Sequence, residues 1–156
     1  MKEKVISYKI RVDSKSESKK LASKLVSYLE GGEVICLIGE LGAGKTYFTK
    51  YIADALGIDS TEIVSPTFVY WRKHKGVKLD LNHFDFYRID NQSEAESIGV
   101  EDALKDNEGI TVIEWADKIR SYLPENRIEI KINEFGGEKR VYNIKMIGKR
   151  FKDIKL

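Results

Sequence analysis

The sequence predicts an α/β fold whose central sheet is mixed and partly parallel. Three observations support this prediction. Helix-like and strand-like segments alternate over the first part of the chain, strand-like segments dominate the last part, and one apolar strand runs into a glycine-rich loop followed by a helix. Alternation favours parallel strands joined by helices, whereas successive strands favour antiparallel pairing. We therefore expect parallel pairing at the strand before the glycine-rich loop and antiparallel pairing toward one edge of the sheet. A length of 156 residues suits one domain covering 1–156.

The first elements are a strand, a helix and a second strand. Residues 4–12 are rich in Val, Ile and Tyr, which favours a strand. Ser14 and Glu17 can form a capping box that opens a helix reaching about Leu29, with its apolar side chains on one face. The continuous apolar run in residues 33–39 then indicates a strand buried on both faces.

Later segments carry weaker but recognisable signals. Residues 68–74 and 77–84 flank a Lys-Gly pair and predict a hairpin, and Ser93 with Glu96 offers a second capping box for a short helix. Residues 109–114 indicate another strand, residues 116–122 a short helix, and residues 127–133 and 139–146 two final strands around Gly136-Gly137. The charged tail, residues 149–156, is expected to be a solvated end, with a contact to RNA or an acidic partner as the alternative.

The glycine-rich loop carries the main chemical signal. Residues 39–46 read Gly-Glu-Leu-Gly-Ala-Gly-Lys-Thr, so Gly39, Gly44, Lys45 and Thr46 satisfy every fixed position of G-x-x-x-x-G-K-[ST]. Backbone amides of such a loop cradle phosphates at a helix N-terminus, the lysine reaches the β- and γ-phosphates, and the threonine hydroxyl can ligate Mg²⁺. The helix predicted from Thr46 to Leu56 supplies the confirming context, and a P-loop type of three-layer sandwich follows. The eight residues Gly39, Glu40, Leu41, Gly42, Ala43, Gly44, Lys45 and Thr46 are the expected nucleotide-binding set.

Three further positions are candidates for the chemistry of phosphoryl transfer. Glu114 ends a strand-like run and could hold Mg²⁺ directly or through water, unless it is a surface acid that begins a helix. Asp85 follows a strand and could be a ligand in the Mg²⁺ shell or a base that orients water, unless it is an ordinary turn aspartate. Thr67, within Ser-Pro-Thr-Phe, could approach the γ-phosphate as a switch threonine does, or lie in a plain turn. His83 could ligate a metal, although a packing role is favoured.

Composition narrows the function classes. No apolar run approaches the roughly 20 residues that span a bilayer, so no membrane association is expected. The formal charge of +2 is too small to indicate nucleic-acid binding by itself. Cys36 is the single cysteine and lies in an apolar strand, which favours a small buried hydrophobe over a nucleophile and is compatible with a reducing cytoplasm.

Four motifs occur in an order that resembles the TsaE family of small ATPases. They are residues 39–46, Ser-Pro-Thr-Phe at 65–68, His-Phe-Asp-Phe-Tyr-Arg at 83–88 and Glu114-Trp115. The resemblance implies an ATP-hydrolysing subunit of the bacterial machinery that forms N6-threonylcarbamoyladenosine on tRNA, acting with the TsaB and TsaD subunits and reaching tRNA indirectly through their complex. One departure is Glu-Trp-Ala-Asp at 114–117, where the family more often has Glu-Trp-Pro-[Glu/Gln].

The resemblance also implies roles for individual residues. Thr46 and Glu114 match the family's Mg²⁺ positions, Asp85 its catalytic acid, Thr67 its switch-like threonine, and Trp115 the aromatic beside the second acid. We expect Asp85, Lys45 and Thr67 to be catalytic, and the adenine to lie near the start of the first helix and the Gly136-Gly137 turn. Because no obvious arginine finger occurs in the chain, hydrolysis by the isolated protein should be slow. A small-molecule kinase and a non-hydrolysing, nucleotide-dependent assembly module remain alternatives.

Overall fold

A computed structural model describes residues 4–64 and 70–156. Within those residues one sheet of seven strands has the order β1-β7-β6-β2-β5-β4-β3. The strands are β1 (Val5–Val12), β2 (Val34–Ile38), β3 (Trp71–His74), β4 (Asp80–Asp85), β5 (Gly109–Glu114), β6 (Arg127–Glu134) and β7 (Arg140–Ile147). The α-helices are α1 (Lys15–Ser27), α2 (Lys45–Ala55), α3 (Gln92–Ile98) and α4 (Val100–Leu104), and short 3₁₀ segments cover Ser60–Glu62, Ala116–Tyr122 and Lys149–Phe151.

The sheet is parallel at its centre and antiparallel at both edges. β2 runs parallel to β5 and β6, and β4 runs parallel to β5. β6, β7 and β1 pair antiparallel at one edge, and β3 pairs antiparallel with β4 at the other. The predicted mixed α/β fold is therefore confirmed. Antiparallel pairing occurs at two edges rather than the one we expected, because the hairpin folds β3 back outside β4.

Two apolar clusters sit on opposite faces of the sheet and make three layers. On one face α1 and α2 pack on the sheet, and Leu25, Ile52 and Ile130 are fully buried there. On the other face α3, α4 and the Ala116–Tyr122 segment cover the central strands, with Phe84 and Ile113 fully buried. This arrangement places the carboxyl ends of β2, β4 and β5 at one edge, where α2 begins. Among the described residues no helix has both the length and the apolar character to cross a bilayer.

Two predicted boundaries differ from the structure for identifiable reasons. The predicted second hairpin strand at Val77 begins only at Asp80, because the amides of Val77 and Lys78 donate to the Leu56 carbonyl at the end of α2. The predicted Ser93 cap is also wrong. Asn91 caps α3, its side chain accepting from the Glu94 amide at 3.3 Å, since Asn91 offers a similarly short acceptor two positions earlier in the chain.

The charged tail is packed, which corrects the expectation of a solvated end. The side chains of Phe151 and Ile154 are buried against the α1 side of the sheet. Tyr8 donates to the Ile154 carbonyl at 3.1 Å, and Arg150 pairs with the buried carboxylate of Glu33 at 3.1 Å. Phe151 and Ile154 lie three positions apart between exposed charged residues, so the segment buries one side and exposes the other.

Candidate functional site

The loop between β2 and α2 has the backbone that phosphate binding needs. Gly42 and Gly44 have φ values of 82° and 112°, a left-handed region that L side chains adopt with strain. Gly39 serves a different purpose, since a Cβ there would lie 2.7 Å from the carbonyl oxygen of Ile132 on β6. The three glycines therefore turn the chain and let it approach the neighbouring strand closely.

Lys45 is the first residue of α2 and is almost fully buried. Its Nζ donates to the carbonyls of Gly39 at 2.6 Å and Glu40 at 2.8 Å. Burial lowers the pKa of Lys45, while the carboxylates of Glu114 and Asp85 act in the opposite direction. The ammonium is therefore held inside the loop, among acceptors that a phosphate could replace.

Glu114 is the centre of a buried polar cluster. It ends β5, is 1% exposed, and accepts from the Thr46 hydroxyl at 2.8 Å through Oε1. Its Oε2 lies 2.5 Å from His83 Nε2 and accepts from the Thr49 hydroxyl at 3.4 Å. A carboxylate buried this deeply needs such partners, and they fix its orientation toward Thr46.

Asp85 lies beside Glu114 because the two residues end adjacent strands. They are register partners in the parallel pairing of β4 with β5. The Asp85 carboxylate accepts from the Tyr87 amide at 3.0 Å. Parallel α/β sheets bind ligands at the carboxyl ends of their strands, and both acids occupy that edge.

Trp115 closes one side of the site. Its φ of 61° makes it the single non-glycine residue with positive φ among those described. The backbone amide of Trp115 donates to the Leu37 carbonyl of β2, and the ring lies 5.1 Å from that of Tyr87. Lys45 Nζ is 4.2 Å from the ring centre of Trp115. A backbone held in a costly conformation beside the lysine of the glycine-rich loop indicates a constrained candidate site.

A cleft of about 240 Å³ brings most of the predicted residues together. Lys45, Thr46, Asp85 and Glu114 line it, together with Trp115, Tyr87 and the loop positions Leu41, Gly42 and Gly44. Glu40 contributes its backbone carbonyl to Lys45, and the buried Ala43 contributes its carbonyl to Arg140 at 2.8 Å. Thr67 lies outside the described residues.

A smaller hollow of about 50 Å³ opens on the other side of the loop. It lies between the start of α1 and the turn joining β6 to β7, which is where we expected adenine. The Lys15 amide donates to Glu138 at 3.4 Å and so links these two elements. Tyr47 and Gly44 also line it, so it is continuous with the phosphate loop.

The sequence did not indicate three of the contacts that shape the site. Arg140 donates to the loop from 97 residues away, His83 orients Glu114, and Thr49 adds a second hydroxyl to the same carboxylate. Thr49 lies one turn after Lys45 and its hydroxyl donates to the Lys45 carbonyl, a spacing that could have suggested it. No local signal marks Arg140.

The β2–loop–α2 unit has a lysine and a threonine at the helix start, and acids end two neighbouring strands. These features define a P-loop nucleotide-binding protein. A family model described as "Threonylcarbamoyl adenosine biosynthesis protein TsaE" matches residues 12–142. The chain belongs to the TsaE family, as the sequence motifs predicted.

Individual relatives are similar over most of the chain. The tRNA threonylcarbamoyladenosine biosynthesis protein TsaE of Bacillus subtilis is 36% identical over 144 residues, covering 92% of this chain and 88% of its own. The TsaE of Aquifex aeolicus is 35% identical over 130 residues, covering 78% and 92%. The crystal structure of Bacillus subtilis YdiB superposes with a TM-score of 0.78 at 31% identity, covering 97% of this chain and 93% of that one.

Proposed function

We propose that this chain is a Mg²⁺-dependent ATPase that serves the machinery forming N6-threonylcarbamoyladenosine on tRNA. The observation that carries the proposal is the convergence of Lys45, Thr46, Asp85 and Glu114 on one cleft at the mouth of the phosphate loop. An ammonium, a hydroxyl and two carboxylates are the groups that phosphoryl transfer to water uses in P-loop proteins. The names of its relatives supply the pathway.

The triphosphate would lie along the loop at residues 39–46. Backbone amides there and the N-terminus of α2 favour an anion, and Lys45 can exchange its carbonyl partners for phosphate oxygens. Phosphate is the better partner, because a hydrogen bond between two charged groups is stronger than one to a neutral carbonyl.

The residues present fit a magnesium ion. Thr46 and Glu114 place two oxygens 2.8 Å apart at the cleft. Among the described residues no cluster of three or more acidic, histidine or cysteine side chains forms a protein-only metal site. The Thr46 hydroxyl and the Glu114 carboxylate suit Mg²⁺, which takes few protein ligands and keeps phosphate and water oxygens as its other ligands. When bound, Mg²⁺ would offset the negative charge on the phosphates; Thr46 and Glu114 would hold it, and His83 and Thr49 keep Glu114 turned toward Thr46.

Asp85 is the residue we assign to the attacking water. It is 6% exposed, lines the cleft and is the register neighbour of Glu114. From there it can accept a proton from water or fix the direction of attack. Thr67 retains the switch role that the family motif implies for it.

The small hollow beside Gly44 is our choice for the adenine. Its wall includes Tyr47, whose half-exposed ring offers a stacking surface, and Lys15, whose Nζ lies 5.2 Å from that ring centre. The hollow adjoins the loop, so base and phosphates could be bound at once.

We further propose that TsaB and TsaD are the partners and that they control turnover. Leu41, Tyr47 and Tyr87 expose apolar surface around the cleft mouth, at 71%, 53% and 44%. Exposed apolar groups beside a site are typical of a surface that a protein covers. The Arg140 guanidinium is committed to backbone carbonyls of the chain, which agrees with slow hydrolysis in isolation. We propose a cytoplasmic location as well, since tRNA is modified there.

Phosphate release and Mg-ATP calorimetry on four proteins test the proposal. We expect Lys45→Ala to abolish binding, and Asp85→Ala to bind ATP normally but lose about 100-fold or more in turnover. Lys24→Ala, an exposed lysine on α1, is the matched control and should behave as the wild type.

Reconstitution with TsaB, TsaD and tRNA completes the test. Wild-type protein should support many cycles of modification, and Asp85→Ala should not. An Asp85→Ala protein that supports many cycles would favour the assembly module, in which ATP occupancy without hydrolysis is sufficient. Transfer of phosphate to a metabolite instead of water would favour the kinase.

A further inference from the structure

One face of the sheet edge formed by β1, β7 and β6 is open over its middle rows, whereas Val141 and Ile147 near the two ends of β7 are buried. The apolar side chains Ile10, Ile144 and Ile130 of these strands point into the cluster beneath α1 and α2. Since side chains alternate along a strand, the odd-numbered residues of all three strands point to the opposite face. In the described part of the chain, α3, α4 and the Ala116–Tyr122 segment cover that face only over the central strands, as the membership of the second apolar cluster shows.

The open face is strongly basic. Its charged odd-numbered positions are five cations and one carboxylate, namely Lys9, Arg11, Arg127, Lys131, Lys145 and Glu129. Arg120 adds a sixth cation, because it lines with Lys131 and Lys145 a concavity of about 200 Å³. The whole chain carries a net charge of only +2, so the remaining surface is net negative. We call these residues, with Ser7, Asn133 and Asn143, the basic sheet face.

The strand register arranges the cations as a compact patch. Lys9, Asn143 and Lys131 form one row across three strands. Ser7, Lys145 and Glu129 form the next row, so Lys145 lies diagonally between the two lysines of the first. With strands about 4.8 Å apart, Lys9 and Lys131 start roughly 10 Å from each other. The ends of these exposed side chains can therefore contact successive charges of a polyanion.

The composition of the face favours RNA over a protein partner. The centres of protein–protein interfaces are depleted in Lys and Ser and enriched in aromatic residues, Met and Arg. The arginines Arg11 and Arg127 lie toward the ends of this face. Here the centre is lysine with Ser7 and Asn143, groups that contact phosphate and sugar oxygens. The exposed apolar residues Leu41 and Tyr87 lie instead at the nucleotide cleft.

We propose that the basic sheet face binds the sugar–phosphate backbone of tRNA. The choice of tRNA as the polyanion rests on the proposed function, and the inference goes beyond the indirect contact that the sequence predicted. The face carries no exposed aromatic side chain among its described positions, so it would contact the backbone and not stack bases. A local patch can do this despite the low net charge of the chain, because attraction depends on nearby charges when salt screens distant ones.

The test is the salt dependence of binding to a fluorescein-labelled tRNA transcript, measured by anisotropy without ATP or partner subunits. About four phosphate contacts should give a slope of roughly −3 to −4 in a plot of log K against log salt. Lys9→Gln/Lys131→Gln/Lys145→Gln should reduce that slope by about 2 to 3 and weaken binding at low salt at least tenfold. The matched control, Lys20→Gln/Lys24→Gln/Lys75→Gln, removes the same charge from exposed lysines elsewhere and should bind nearly as the wild type.

A second variant guards against a misfolded triple mutant. Glu129→Gln removes the one carboxylate of the face and releases Arg127, whose Nε donates to it at 2.8 Å, so tRNA binding should tighten a few-fold. The proposal is overturned if neither variant set changes tRNA binding, or if both lysine triples weaken it equally. It is also overturned if the first triple loses only binding to TsaB and TsaD, which would assign the face to an acidic protein.

Phosphate release from the same proteins separates this inference from the proposed function. Normal ATP hydrolysis with no tRNA binding would refute the basic sheet face alone. Binding of tRNA through this face by a protein that does not hydrolyse ATP would refute the ATPase proposal alone.

Discussion

The ammonium of Lys45 lies 4.2 Å from the ring centre of Trp115, while it donates to two carbonyls of the phosphate loop. The ring thus covers the same cation that we expect to contact phosphate. A cation over an indole face contributes about 0.5–2 kcal/mol, and hydrogen bonds to charged groups about 1.5–3 kcal/mol. Phosphate binding should therefore redirect Lys45 and change the surroundings of Trp115.

Tryptophan fluorescence tests this coupling. The chain has two tryptophans, and Trp71 stacks on Phe84 at 5.4 Å in β3. In a Trp71→Phe protein, Mg-ATP should change the emission of Trp115 and saturate at the affinity found by calorimetry. The complementary Trp115→Phe protein, which retains Trp71, should show little change. Equal responses from the two proteins would contradict the coupling.

The backbone of Trp115 gives a second prediction. A left-handed conformation costs an L residue with a side chain about 1–2 kcal/mol, a cost that glycine does not have. Trp115→Gly should therefore be more stable than Trp115→Ala by about 1 kcal/mol, measured by urea unfolding of both proteins. At an ordinary helical position the order would be reversed, since glycine destabilises helices, so the sign of the difference decides.

The parts of the fold and site that the sequence predicted depend on local patterns. The buried run of β2, the glycines and Lys45 are contiguous in the chain, and the strand-like runs before them placed Asp85 and Glu114 at strand ends. The structure then made them neighbours through the β4–β5 register. Local patterns could not give that register, because it depends on which strands pair.

The features that the sequence missed depend on distant contacts or on competing local signals. Arg140 reaches Ala43 across 97 positions, and only the β6–β7 hairpin brings it there. The α4 helix was not predicted, because five residues after Gly99 are too few to show a period. The tail was misassigned because its charged residues outnumber Phe151 and Ile154, the two side chains that the fold buries.

Cys36 should be chemically inert in the folded protein. It is fully buried at the centre of β2, and burial raises the pKa of its thiol to about 12, with Glu129 adding to the effect. Because the thiolate is the reactive form, iodoacetamide at pH 8 should leave Cys36 unmodified in buffer and alkylate it in 6 M urea. Mass spectrometry of both samples checks this, and rapid alkylation in buffer would show that the strand opens.

Arg140 should support nucleotide affinity through the loop backbone. Its Nε donates to the Ala43 carbonyl at 2.8 Å, and its Nη1 donates to Gly137 and Lys139 carbonyls on the hairpin. Arg140→Met keeps the aliphatic stem but loses these bonds, so we expect ATP to bind about 5- to 20-fold more weakly by calorimetry. Lys139→Met is the control for the loss of one nearby positive charge. An equal effect of both substitutions would show that the loss of positive charge matters, and not the loss of the hydrogen bonds from Arg140 to the loop and the hairpin.

His83 should act by holding Glu114 and not by contacting the nucleotide. Its Nε2 is paired with Glu114 Oε2, and both side chains are almost fully buried. His83→Phe removes that partner and leaves a buried carboxylate oxygen with only the long bond from Thr49, so Glu114 is free to turn away from Thr46. Loss of such an orienting partner costs about 10- to 100-fold in metal affinity or activity. We expect the Mg²⁺ concentration for half-maximal turnover to rise and the turnover to fall, with ATP binding measured without Mg²⁺ nearly unchanged.

His83→Gln, which can still donate to the carboxylate, should restore part of the activity. The chain's second histidine gives the matched control, because His74 lies on β3 and His74→Gln removes an imidazole of the same size without touching Glu114. A His83→Phe protein with normal Mg²⁺ dependence would show that Thr46 and Thr49 alone suffice to orient the carboxylate.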